Sequence, residues 1–186
     1  MTTEPEAIGT IKDTDVTPTL IPSPVEPLVI THRNKCLTYE TAKEIETRIA
    51  RYFGIRANVI VPNVSWGLLT YEADMLIMPI SGVMYEVEIK VSKGDLIADK
   101  KKNHKHCSEL IRGIYFAIPE KLKPHIEHIP EKAGILVVDK TGRVEKLRGI
   151  KINKTSRKLS EQERFTLARL GAMRVWILKE KLVGAL

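Results

Sequence analysis

The residues best placed to do chemistry lie in the stretch 85–91, Tyr-Glu-Val-Glu-Ile-Lys-Val, with Asp74 inside the apolar run 73–78 ahead of it. In an extended chain side chains alternate between faces, so Glu86, Glu88 and Lys90 share one face and Tyr85, Val87, Ile89 and Val91 share the other. Two carboxylates and an ammonium in a row, with a third carboxylate one strand earlier, can hold a hard divalent cation and set a lysine beside its water. Asp74 and Glu88 would ligate Mg²⁺ (or Mn²⁺), with the Ile89 carbonyl as a third oxygen. Such an ion keeps several waters and takes phosphate oxygens from a substrate. It lowers the pKa of a bound water and offsets charge at phosphorus. Lys90 would orient or help deprotonate that water, and Glu86 would support the site or ligate a second ion. For 85–91 alone the plain alternative is an amphipathic strand with a solvated face. Asp74 weighs against it, because an aspartate followed by Met-Leu-Ile-Met is costly to bury without a partner.

Positioning these groups requires a hairpin of the right parity. Directly opposed residues in an antiparallel pair point to the same face. Asp74 therefore joins Glu88 and Lys90 only if the connection holds an odd number of residues, as in a loop 80–82, or carries a bulge near Pro79. A two-residue Ser81-Gly82 turn would put Asp74 on the wrong face.

The pattern predicts a helix over 38–53, where Ala42, Ile45, Ile49 and Phe53 recur at helical spacing before Gly54. Strands are expected at 57–61, 68–78 and 83–91, with turns at Pro62-Asn63 and 79–82. Ser92 with Asp95 reads as the capped start of a helix to about residue 110. A strand at 113–118, a short helix at 120–128 interrupted by Pro124, and strands at 134–138 and 143–147 follow. Ser160 with Glu163 opens a last helix, with Phe165, Leu167, Leu170, Met173, Trp176 and Ile177 at helical spacing. This order indicates a mixed α/β layer structure, α+β in character.

The helix after Ser92 adds to the site. Asp95, Asp99, Lys102 and His106 fall within about 60° of one another on a helical wheel, beside a packing face of Leu96, Cys107, Leu110 and Ile111. They are expected to look into the cleft of Glu88 and Lys90. Lys93, Lys101, Lys102, Lys105 and His106 supply phosphate-binding groups, with a solvated lysine face as the alternative.

Asp74, then Glu88-Ile89-Lys90, then a lysine-rich helix, resembles the PD-(D/E)XK nuclease superfamily. The longer run Glu-Ala-Asp-Met-Leu-Ile, Glu-Val-Glu-Ile-Lys-Val-Ser, Asp95, Asp99, Lys102 and Lys105-His106 is similar to a bacterial and phage branch that includes DNA-repair nucleases. The later Tyr115-Phe116-Ala117-Ile118-Pro119 and Ala133-Gly134-Ile135 are similar to it too. The resemblance covers about residues 38–150. It implies a restriction-endonuclease-like core, a central mixed β-sheet flanked by helices, acting on DNA in repair, recombination or phage DNA processing. It also implies a glutamate on the first helix that reaches the site. Glu40, Glu44 and Glu46 are available, with Glu46 nearest the apolar face, and Glu72 is another acid. The alternative within the same fold is a nucleic-acid-binding module that does no chemistry.

The 186 residues suit one well-buried core. Residues 1–33 read as a disordered tail rich in proline, threonine and acids, 34–150 as the nuclease-like core, and 151–186 as a linker and a helix that packs on the core or on a partner. Residues 1–32 hold half of the ten prolines and five acids (Glu4, Glu6, Asp13, Asp15, Glu26) against Lys12. That net of −4 within a chain of +7 leaves +11 on the other 154 residues, which suits a polyanionic partner such as DNA. Aromatic content of 5% disfavours a base-stacking surface for single strands. No apolar run approaches the roughly 20 residues of a membrane span, and the acidic, proline-rich start is unlike a secretory signal. A cytoplasmic location, on the nucleoid or on phage DNA, is expected. Cys36 and Cys107 form no close-spaced metal motif and read as small buried hydrophobes. Arg164, Arg169, Arg174 and Trp176 would serve an interface if the last helix docks a partner. A homodimer through this helix would suit duplex or junction cleavage.

Overall fold

The computed structural model describes residues 41–65, 67–101 and 108–184, without the side chains of 99–101. The expected tail, Cys36, Glu40, Lys102, Lys105, His106 and Cys107, and the side chains of Asp99 and Lys101, lie outside the described residues.

Helix α1 (Ala42–Tyr52) begins at a reciprocal cap: the Glu44 N–H donates to Thr41 Oγ1 at 3.3 Å, and the Thr41 N–H to Glu44 Oε2 at 3.0 Å. Ile45 and Ile49, one turn apart, are its buried residues. The helix ends before Gly54, whose φ of +80° is a left-handed conformation that glycine adopts at no steric cost.

Six strands follow: β1 (Val59–Val64), β2 (Ala73–Met78), β3 (Met84–Ile89), β4 (Ile111–Pro119), β5 (Gly134–Val138) and β6 (Val144–Arg148). They form one sheet in chain order, antiparallel except that β3–β4 and β4–β5 are parallel. Parallel neighbours need a crossover. Helix α2 (Lys93–Lys101) lies in the first crossover and a 3-10 helix (Glu120–His128) in the second. The mixed sheet flanked by helices is the α/β, α+β-type architecture expected.

Strand β5 is buried throughout, and β2 and β3 nearly so, as central strands covered on both faces must be. On one face Met75, Ile77, Tyr85, Val87, Ala117 and Leu136 pack with Ile45 and Ile49 of α1. On the other, Leu76, Met78 and Met84 meet Leu167 and Leu170 of α3 (Glu161–Val183), while Phe116, Ile118 and Ile135 meet Leu96 and Leu122. Helix α3 therefore packs its first half on the core.

Four expectations are corrected. Pro62 and Asn63 belong to β1 and not to a turn: β1 is an edge strand, where a proline removes no ladder bond that a second neighbour would need. The first two strands are shifted, 57–61 to Val59–Val64 and 68–78 to Ala73–Met78. Leu110 and Ile111 are not on the face of α2, since Leu110 is in a turn and Ile111 opens β4. Phe165, Met173 and Trp176 are exposed, so the helical spacing of α3 reports two faces and not one core face. Among the described residues no helix is long and apolar enough to cross a membrane.

Candidate active site

The β2–β3 connection is the three-residue loop Ile80-Ser81-Gly82. The register pairs Met75 with Val87 and Ile77 with Tyr85, and the Gly82 N–H closes the turn on the Pro79 carbonyl at 2.9 Å. Gly82 has a φ of +78°, the left-handed position that ends a three-residue hairpin. With this odd loop Asp74 is in register with Glu88, and the two side chains belong to the same face.

The ladder between β2 and β3 stops at Met75–Val87, while β2 stays paired with β1 to Ala73 and β3 with β4 to Ile89. The Lys90 N–H extends the β3–β4 ladder by donating to the Ala117 carbonyl at 3.0 Å. The sheet therefore forks at Asp74 and Glu88. Asp74 Oδ2 stands in the fork and accepts from the Ile89 N–H at 2.8 Å, where a continuing ladder would have supplied a carbonyl.

Glu86, Glu88 and Lys90 are 0%, 5% and 7% exposed, and among the described residues they are the buried charged side chains. Each has a partner, as burial demands. The Lys90 ammonium donates to Glu88 Oε2 at 2.6 Å and stands 5.9 Å from the centre of the Phe116 ring. The Tyr71 hydroxyl donates to Glu86 Oε2 at 2.8 Å. Glu86 is thus set apart from Glu88 by its own donor, which suits a supporting role.

Of the candidate glutamates on the first helix, Glu44 is taken up by the cap of α1. Glu46 accepts from the Asn63 amide at 3.4 Å. Burial holds the Glu46 carboxyl above its usual range; the Asn63 amide pulls it down, and the charge of Asp74 raises it again. Electrostatics thus couple Glu46, on α1, to Asp74. Asn63 faces position 74 across the β1–β2 ladder, between the pairs Pro62–Met75 and Val64–Ala73, with a φ of +52°. A left-handed backbone is uncommon outside glycine but best tolerated by asparagine and aspartate.

Other expected members lie further out. Glu72 is exposed just ahead of β2, and Lys93 is exposed in the first turn of α2. Asp95 is exposed too, and its backbone N–H donates to Ser92 Oγ at 3.1 Å, so Ser92 caps α2, while Leu96 goes to the core. Tyr71, Asn63 and Phe116 were missed. The signal for Tyr71 was that a buried Glu86 needs a donor, and tyrosine is among the few residues that supply one from an apolar body.

No protein-family model matches this chain, and no curated protein matches it either. Among solved structures it is similar to the SPO1766 protein of unknown function from Silicibacter pomeroyi, with a TM-score of 0.55 at 20% identity, over 76% of this chain and 91% of that one. At that identity the likeness concerns the fold alone.

Proposed function

We propose that this chain is a Mg²⁺-dependent (or Mn²⁺-dependent) endonuclease of PD-(D/E)XK type that hydrolyses DNA phosphodiester bonds, on the nucleoid or on phage DNA. The observation that carries the reading is the fork in the sheet, where Asp74 accepts from the Ile89 N–H, between Glu88 and the buried Lys90 that Glu88 binds. Asp74 and Glu88 are the ligand pair, with the Ile89 carbonyl beside them, and two carboxylates plus waters and phosphate oxygens suffice for Mg²⁺. A bound ion would supply Lewis acidity and an acidified water. Lys90, held by Glu88 over Phe116, orients the attacking water through its N–H groups. Glu46, whose proton affinity burial raises, is the group assigned to receive the proton. Lys93 and the segment with Lys101, Lys102, Lys105 and His106 would hold the phosphate backbone.

Cleavage of linear and branched DNA with Mg²⁺ or Mn²⁺ tests this. Asp74→Asn should lower the rate roughly a hundredfold or more with the fold intact by circular dichroism. If wild-type protein cuts none of these DNAs, the reading fails. One observation favours a second reading, a nucleic-acid binder with no chemistry: Glu88 is already engaged by Lys90 at 2.6 Å and Asp74 by the Ile89 N–H at 2.8 Å. Such a protein binds DNA with the same salt dependence whether or not EDTA is present.

A further inference from the structure

Helix α3 has a core face, and its exposed apolar residues fall into two groups, Val175, Leu178 and Leu182 on one side and a stripe opposite the core. Leu167 and Leu170 pack into the core. With about 100° per residue, Phe165, Ala172, Trp176 and Val183 form a stripe on the opposite side. Phe165 and Trp176 are 63% exposed and Val183 74%, and Ala172 is exposed as well. The arginines divide the same way. The Arg164 Nε–H donates to the Leu159 carbonyl at 3.0 Å, and the Arg174 guanidinium donates to the Asn63 carbonyl, tying the helix down. Arg169 and Glu180 are exposed on one flank of the stripe.

We propose that the occupant of this stripe is the same stripe of a second copy, paired antiparallel. Setting Ala172 opposite Trp176 of the other copy also sets Phe165 opposite Val183, so large residues meet small ones on both sides of a two-fold axis. The same register brings Arg169 against Glu180, because a two-fold axis perpendicular to the helix pair leaves each flank facing its own equivalent. Opposite charges thus meet twice per dimer. A parallel pairing would instead set Trp176 against Trp176, and because its two-fold axis runs along the helices it would turn Arg169 toward the flank of Lys179 and away from Glu180. Lys179, whose ammonium stands 4.8 Å from the centre of the Trp176 ring, falls on the other flank, level with Ala168. Nothing in this inference depends on the nuclease reading, since the stripe is on the side of α3 turned away from the sheet.

Sedimentation equilibrium of the full chain over a range of concentrations tests it. Wild type should dimerise, and Trp176→Glu should weaken the dimer roughly tenfold or more, as removal of a central aromatic anchor does. Arg169→Glu and Glu180→Arg should each weaken it by a similar factor, and the double reversal should restore it. Trp176 is exposed, so circular dichroism of Trp176→Glu should match wild type. A chain monomeric at every concentration overturns the proposal, including one that covers the stripe with its own first forty residues. A dimer indifferent to Trp176→Glu overturns it, as does a double reversal no tighter than the single ones.

Discussion

The 2.6 Å pair of Glu88 and Lys90 is a liability as well as a candidate catalytic element. Two buried charges lose their hydration, and their mutual attraction repays that only while both are present. Removing one partner leaves the other buried without it, so Glu88→Ala and Lys90→Ala should each lower stability by about 3–5 kcal/mol. The double replacement Glu88→Leu with Lys90→Met should lie close to wild type, which urea unfolding would measure. Alanine at either position therefore confounds loss of fold with loss of function, and Asp74→Asn is the cleaner probe of chemistry.

At the scale of elements, the hairpin turn decides which groups meet. One residue fewer between β2 and β3 moves the pairing by one and sends Asp74, Leu76 and Met78 to the other face. Gly82→Val should cost about 1–2 kcal/mol through its left-handed φ alone. The added side chain would also meet the Arg164 guanidinium that packs over this glycine. Denaturant unfolding should show the loss, with Ser81→Ala as the neutral control. Both possible turns were readable from residues 79–82, but choosing between them was not, because Ile-Ser-Gly and Ser-Gly are each compatible with the local chemistry. The capping boxes show the same boundary. Ser160 with Glu163 was legible as a helix start, whereas α1 was expected from residue 38 and the box of Thr41 with Glu44 starts it at Ala42 instead.

At the scale of the molecule, Arg157 joins segments far apart in sequence. Its guanidinium donates to both oxygens of Glu163, at 2.7 and 2.8 Å, and to Glu109 at 2.9 Å, while its N–H donates to the Glu109 carbonyl at 2.9 Å. The start of α3 is thereby fastened to the turn before β4. The Arg157 bonds hold the Glu163 carboxyl down at about 2, against an ordinary 4.5. A depressed carboxylate stabilises the fold fully above its unfolded pKa and loses that contribution as pH falls toward the folded value. Stability should therefore drop between pH about 4.5 and 2. Arg157→Ala should flatten that limb while lowering stability at neutral pH, as unfolding curves across pH would reveal.

The sequence by itself determined which residues alternate, where most helices begin, and that Asp74, Glu86, Glu88 and Lys90 were the charges with most to explain. These follow from local periodicity and capping, which involve residues a few positions apart. Only the tertiary structure decided that the odd turn sets Asp74 in register with Glu88 and that the ladder opens there. It also took Glu44 into the cap of α1, set Glu46 beside Asn63, gave Glu86 its tyrosine, and turned Phe165, Met173 and Trp176 of α3 outward. Each of these depends on contacts between segments distant in the chain, whose pairing no local pattern encodes. The 85–91 strand would look the same on paper with a solvated face. Burial of its charges is a property of what packs over it.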